Sequence, residues 1–291
     1  MSRSRHRTAR APTAAKPSRA ALPAVAAVIA FLASPALGQE ARALPLWEVG
    51  GIALGASQLA YPGSSQHVRR GLAVPYAFYR GEFLRVDRET AGIRAVRTPV
   101  FELDIGAAAS FGAGSDEIDV RRGMPDLGTF VEFGPRLKWH LAGRPGGHRL
   151  RADFALRGVF DLTDRLKDKG LAFEPELVYE SPERGRWGTI LSVGAIWGDR
   201  RLADTFYGVA PAYATTARPV FVAESGRIAL RGSAWVWRDL SNDLRLYGYA
   251  RADSVSGAAN TASPLVQRTT GATVGAGVVY TWKRSRRVAI D

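Results

Sequence analysis

From His148 to Phe160 the side chains sort by alternate position. His148, Leu150, Ala152, Phe154, Leu156, Gly158 and Phe160 fall on one face, and Arg149, Arg151, Asp153, Ala155, Arg157 and Val159 on the other. Only a β-strand turns a period of two into one apolar and one charged surface, because its successive side chains point to opposite sides. The same split recurs at Leu244, Leu246, Gly248 and Ala250 against Asp243, Arg245, Tyr247, Tyr249, Arg251 and Asp253. It recurs again at Val131, Phe133, Leu137 and Trp139 against Glu132, Arg136 and Lys138. Gly, Pro, Asp and Ser clusters punctuate these runs, as turns require. The chain therefore reads as strands over 46–56, 71–80, 83–89, 92–97, 99–110, 128–140, 148–160, 170–180, 187–198, 227–239, 243–253 and 271–282. The count is even, at twelve.

Alternation does not by itself choose the solvent, since a soluble β-sandwich alternates too. Loop lengths and aromatic positions do choose. The connections 57–70, 111–127, 161–169, 199–226 and 254–270 are long, whereas 81–82, 141–147, 181–186 and 240–242 are short. A barrel of the bacterial outer membrane has short periplasmic turns and longer external loops, with both termini periplasmic. On that topology Trp47, Trp139, Tyr179, Trp187 and Trp282 gather at the periplasmic ends of the strands, and Phe111, Phe130, Phe160, Phe173 and Trp197 at the external ends. Two such belts are what a membrane interface selects. The expected fold is all-β, a closed antiparallel transmembrane β-barrel of about twelve strands over 46–282, followed by a short basic tail, 283–291.

The apolar stretch Ala21 to Ala33 is thirteen residues long, about 20 Å as a helix against a hydrocarbon core of roughly 30 Å. That length suits the apolar region of a signal peptide. Arg3, Arg5, Arg7, Arg10, Lys16 and Arg19 precede it, and Pro35, Ala36 and Gly38 follow it. Residues 1–38 are expected to be a cleaved export signal, with the mature barrel spanning 39–291 and starting at Gln39. A mitochondrial transit peptide shares the basic, acid-poor composition and is the rival reading. After Gly38 no window approaches eighteen uncharged apolar residues, which excludes helical spans.

The leader also explains much of the charge. The chain carries 40 Lys and Arg against 27 Asp and Glu, a net +13; without the six leader cations the balance is +7. Lys283, Arg284, Arg286 and Arg287 form the remaining basic run, read as a solvated tail and not as a nucleic-acid site. With no cysteine, disulfides, thiolate metal sites and cysteine nucleophiles are excluded.

No residue constellation points to catalysis, a cofactor or a metal. His67 with Ser64, Ser65 and Tyr61 reads as an exposed loop histidine, and Asp116, Glu117 and Asp119 lack a calcium-loop spacing and read as a solvated acidic loop. More informative is the face opposite the apolar one. Arg149, Arg151 and Arg157 are expected in the lumen beside Glu174, Glu176 and Glu180 on one side and Glu132, Arg136 and Lys138 on the other. Such a ladder either stiffens a filled lumen through cross-strand pairs or lines a selective channel. Twelve strands lie between the filled and the open cases, and a largely occluded lumen is expected.

Six segments stand in a characteristic order: the opening Trp47-Glu48-Val49-Gly50-Gly51 and Leu72-Ala73-Val74-Pro75-Tyr76, then Met124-Pro125-Asp126-Leu127, Val131-Glu132-Phe133-Gly134-Pro135, Phe206-Tyr207-Gly208-Val209 and Ser263-Pro264-Leu265. In these segments the chain resembles the MipA/OmpV outer-membrane proteins. The resemblance implies a barrel in the Gram-negative outer membrane, held by lipid, without enzymatic activity. It further implies a scaffold of the cell envelope that brings a lytic transglycosylase together with a murein synthase. Relatives acting as porin-like channels or as surface adhesins and antigens supply the alternatives. The terminal pattern Val278, Tyr280, Trp282 is of the kind that the barrel-insertion machinery reads in such proteins.

Overall fold

In the computed structural model, residues 45–80, 84–86, 91–143, 147–182 and 186–287 are described; the expected export signal lies outside them. The strands are β1 (Trp47–Leu59), β2 (His67–Arg80), β3 (Leu84–Val86), β4 (Ala91–Arg97), β5 (Phe101–Ser110), β6 (Phe130–Gly143), β7 (Arg149–Asp161), β8 (Lys167–Glu180), β9 (Trp187–Gly198), β10 (Gly226–Asp239), β11 (Leu244–Ser254) and β12 (Thr270–Arg284). Every pairing is antiparallel, and the hydrogen-bonded order β1-β12-β11-β10-β9-β8-β7-β6-β5-β4-β3-β2 returns on itself as a closed barrel. Ten strands have 10 to 15 residues. The wall between β2 and β5 is completed by β3 and by β4, whose 7 residues cover the expected 92–97; of the expected strand 83–89, only 84–86 lie among the described residues. No helix among the described residues is long and apolar enough to cross a membrane.

Several long strands outrun the alternation that announced them. β2 starts at His67 because Leu59↔His67 still pair and His67 Nε2 hydrogen-bonds the Ala272 carbonyl (2.8 Å). Likewise β7 and β8 pair out to Asp161↔Lys167, so the long loop expected over 161–169 is a tight turn. Arg165 (φ 51°) and Leu166 (φ 60°) adopt the left-handed conformation in it, and Asp161 Oδ1 accepts from Thr163 N (2.9 Å) and Oγ1 (2.6 Å). Non-glycine residues rarely adopt that conformation. Prolines leave their own mark. The β6–β7 register skips Gly134 and Pro135, and the β8–β9 register skips Glu174 and Pro175, as expected of residues with no N–H to give the ladder.

Polarity is inverted relative to a soluble core. Outward-facing Phe133 is 50 % exposed and Val193 60 %, whereas inward-facing Asp104 is 0 % and Arg151 2 % exposed. Of the expected periplasmic aromatics, Trp47, Trp139, Trp187 and Trp282 are exposed, while Tyr179 is half-buried against His148, whose ring stacks on it. The other belt needs correction. Phe173 and Trp197 are exposed neighbours and Phe160 stacks on Phe133, but Phe130 is buried among the loops and Phe111 packs against an inner cluster of Ile52, Leu54, Tyr76, Phe78 and Val279. Phe111 stands just past the end of β5, where the chain beyond and not the strand's own period sets its direction, whereas Phe130 shares the inward, even-numbered face of β6 with Arg136 and Lys138.

Cross-strand glycines make room for two inward aromatics. A Cβ on Gly188 would lie 1.8 Å from Trp237 Cζ2, its partner across the sheet, and one on Gly50 would lie 2.5 Å from Tyr76 Cε1. Trp237 packs there with Val178 and Ile190, and Tyr76 reaches Thr281 Oγ1 at 2.6 Å. A phenol and an indole thus close part of the interior near the short turns.

Candidate functional site: the charged lumen and the loop cap

Alternation points the odd residues of β7 and the even residues of β5, β6 and β8 inward, and their charges meet there. Arg149 and Arg151 both pair with Glu180, and Arg151 also with Asp153 (2.8 Å). Arg157 lies between Glu174 (2.5 Å) and Glu132 (3.6 Å). Glu176 differs from expectation. It hydrogen-bonds Ser192 on β9 and makes no described pair with an arginine, because Asp153, opposite it in register, has taken Arg151. Arg136 and Lys138 turn the other way, to carboxylates on β5. Arg136 holds Asp104 with Nε and Nη2 (3.0 and 2.7 Å), and Lys138 bridges Glu102 and Asp104, both at 2.9 Å. Phe101-Glu102-Leu103-Asp104-Ile105 carries the same alternating signal, so both acids were open to sequence reasoning and were missed there.

A second set of charges lies across the barrel. Asp253 takes Arg231 (2.7 Å) and Arg251 (3.0 Å), Arg245 pairs with Asp239, and Trp235 lies against Tyr249 with ring centroids 4.2 Å apart. Each buried cation on the strands described here meets at least one carboxylate. Buried charges persist in a protein when they are paired and hydrogen-bonded.

Above this ladder the long loops form a second core. Residues of the β1–β2, β5–β6, β9–β10 and β11–β12 loops bury Tyr61, Ile118, Met124, Leu127, Leu202, Tyr207, Val209 and Leu265 together with Phe130, Val159 and Ile196 of the strands. The β9–β10 loop contributes α1 (Arg200–Tyr207), whose N-cap Asp199 accepts from Leu202 N at 2.8 Å. Hydrogen bonds tie the loops to one another. Tyr61 Oη donates to the Leu265 carbonyl (2.6 Å), Tyr207 Oη to Pro62 (3.0 Å), Ser263 Oγ to Tyr207 (2.7 Å), and Arg218 Nη1 to Val120 (2.8 Å). Arg121 is buried and donates to the Phe206 and Pro125 carbonyls. The family-resembling segments separated in sequence therefore meet here. Met124 and Leu127, Tyr207 and Val209, and Ser263 and Leu265 are neighbours in one cap, while Asp126 Oδ1 accepts from Ser115 N (2.5 Å).

Electrostatics follow from that burial. Burial pushes the Tyr61 phenol up to about 12 against the pull of Arg121 and Ser64, and burial also raises Tyr207. In the acidic loop, the Arg70 guanidinium holds Glu117 below the usual carboxylate range through a 2.7 Å pair. Asp119 accepts from Gln66 Nε2 (3.1 Å) and pairs with Arg122 (2.7 Å). His67 does not join Ser64 and Tyr61: its Nε2 bonds the Ala272 carbonyl of β12, while Tyr61 Oη donates to Leu265 and Ser64 Oγ to the Gln66 carbonyl. Among the described residues no group of three or more His, Cys, Asp or Glu could hold a metal ion.

The sequence profile described as "MltA-interacting protein MipA" matches residues 50–282. The chain belongs to the MipA family. Among curated proteins none matches. Solved structures with a similar course include Pseudomonas putida OprB, 8% identical, the alignment covering 81% of this chain and 94% of that one with a TM-score of 0.40. They also include an outer membrane channel of Pseudomonas putida F1 (12% identity, 82% and 96% covered, TM-score 0.34) and outer membrane phospholipase A of Escherichia coli (14%, 88% and 97%, TM-score 0.34). Likeness of this degree carries no function from those proteins to this MipA-family chain.

Proposed function

We propose that this MipA-family chain is a twelve-stranded barrel of the Gram-negative outer membrane, with its short turns in the periplasm, and that it acts as a non-enzymatic scaffold of the cell envelope. The observation that carries the reading is the inverted polarity. A belt of Phe133, Leu156, Leu171, Leu191, Val193 and Val274 faces outward, while Asp104, Arg151, Asp153 and Glu180 are buried within. Water would penalise that belt, and hydrocarbon would not. The lumen is filled from both ends, by the loop cap and by the paired charges and inner aromatics, which leaves it little free charge to offer a passing ion. The family's description as MltA-interacting supports partners in murein turnover, a lytic transglycosylase and a murein synthase, reached from the periplasmic rim.

Two measurements test this. In a planar bilayer the wild type is expected to conduct poorly, and Glu174→Gln with Glu180→Gln to raise anion conductance while lowering stability, since Arg149, Arg151 and Arg157 lose partners. A large, steady wild-type conductance that the substitutions leave unchanged would sink the occluded scaffold in favour of a porin-like channel. Crosslinking in intact envelopes should bring down a lytic transglycosylase or a murein synthase. Recovery of neither, with the barrel present at normal level, overturns the partner assignment.

A further inference from the structure

Among the described side chains at the short-turn end, one sector gathers exposed cations. Arg186, Arg238, Lys283, Arg284, Arg286 and Arg287 are exposed on the β9–β12 sector, with Asp243 the exposed carboxylate described among them. Elsewhere on that end the described turn residues, 98–100, 141–143 and 181–182, carry no charge. The basic tail, described as far as Arg287, is tethered through its backbone while its cationic side chains stay exposed, as a solvated tail would have them. Ser285 N donates to the Trp47 carbonyl and Leu46 N to that of Arg287, both at 2.8 Å.

Two of these guanidiniums converge on one residue. Arg186 Nη2 donates to Asn242 Oδ1 (3.2 Å), and Arg284 Nη2 to the Asn242 carbonyl (2.8 Å) while it also pairs with Asp243. Arg186 holds its position from a left-handed backbone (φ 71°), and its carbonyl accepts from Asp239 N (2.9 Å). A guanidinium has five N–H donors, so most of those on Arg186 remain available. Arg238 lies over the Trp187 ring, 5.1 Å from its centroid, on the outward face. Trp187 and Trp282 flank this cluster as exposed interfacial aromatics. The cations thus sit at the level where aromatic rings mark the boundary of the apolar belt, on the side a lipid would touch.

We propose that Arg186, Arg238 and Arg284, with Trp187 and Trp282 beside them, form a binding site for the phosphate headgroup of an anionic phospholipid of the periplasmic leaflet, phosphatidylglycerol being the probe. Arginine matches phosphate bidentately, and a cluster of such groups at the membrane surface selects anionic over zwitterionic lipid. The inference rests on the periplasmic placement of the short turns proposed above.

The test is native mass spectrometry of the mature barrel released from nanodiscs of phosphatidylethanolamine with phosphatidylglycerol, and separately with lipid A. The wild type should retain phosphatidylglycerol, and the combination R186Q/R238Q/R284Q should reduce that retention about tenfold. Heat-modifiable gel migration checks that the variant is folded, and R186K/R238K/R284K should keep part of the preference. Retention equal for the two phospholipids, or unchanged in the Gln variant, overturns the site. Loss of lipid A binding with phosphatidylglycerol untouched also overturns it, and would put the short turns outside; bilayer conductance would still judge the occluded lumen separately.

Discussion

Arg151 shows what a single side chain carries in this barrel. It is 2 % exposed and joins Asp153 to Glu180, itself 3 % exposed, so replacing it strands two carboxylates in the interior. Removing one partner of a buried pair costs about 3 to 5 kcal/mol, whereas an exposed pair contributes about 0 to 1. Arg151→Gln is therefore expected to lower the unfolding free energy in lipid vesicles by an amount in the larger range, and Arg122→Gln, from the exposed Asp119 pair, to leave it nearly unchanged. Reversible denaturant titration separates the two, and equal effects would mean that the interior is wet enough to screen its charges. Leu156 makes the complementary case on the other face. Outward and 47 % exposed, it should cost roughly 2 to 4 kcal/mol when changed to Arg in a bilayer and far less in detergent, where the chain can rearrange around the charge. Its inward neighbour Ala155 is 2 % exposed, so an arginine there meets packed atoms and costs about 1 to 3 kcal/mol by overpacking.

At the scale of elements, the loops behave as a folded unit and not as tethers. Arg218 alone reaches the carbonyls of Val120, Arg122 and Tyr213, which ties the β9–β10 loop to the β5–β6 loop. Arg218→Ala should remove roughly 1.5 to 3 kcal/mol of local stability, seen as faster amide exchange across residues 118–124 while the strands keep their protection. Acid should act at the other margin of the same loop. Glu117 has a depressed pKa in the folded protein, so its link to Arg70 contributes stability above the unfolded carboxylate's pKa and loses it as pH falls through the lower folded value. Exchange in residues 112–119 should accordingly quicken in acid, and Glu117→Gln should abolish that dependence. Alkali acts on Tyr61 in the opposite sense. Its pKa rises on folding from 10.0 to about 12, so the stability it contributes is intact below pH 10 and is lost as pH climbs toward 12. A Tyr61→Phe cap, lacking the 2.6 Å bond to Leu265, should start weaker and show none of that alkaline fall.

For the whole molecule, the sequence by itself determined the strand period, the separation of charged from apolar faces, and the family, because each follows from the order of residue types along one segment. Alternation placed Arg149, Arg151 and Arg157 on one side of β7 before any partner was known, and it assigned Trp47, Trp139, Trp187 and Trp282 to the outward ends. A cleaved leader is proposed on the same local grounds, and mass measurement of the purified protein should find Gln39 at or within a few residues of its start. What only the tertiary structure decided involves groups far apart in the chain. Glu102 and Asp104, which sequence reasoning passed over, hold Arg136 and Lys138, because β5 is the other neighbour of β6. Phe111 turns inward because the loop it opens folds over the barrel mouth, whereas Phe130 follows the inward period of β6. Tyr61, Met124, Tyr207 and Leu265 meet in one cap although up to 204 residues separate them, as the Tyr61–Leu265 hydrogen bond records. Period reports the face a residue occupies, but register and loop path choose its partner, and those depend on closing the sheet.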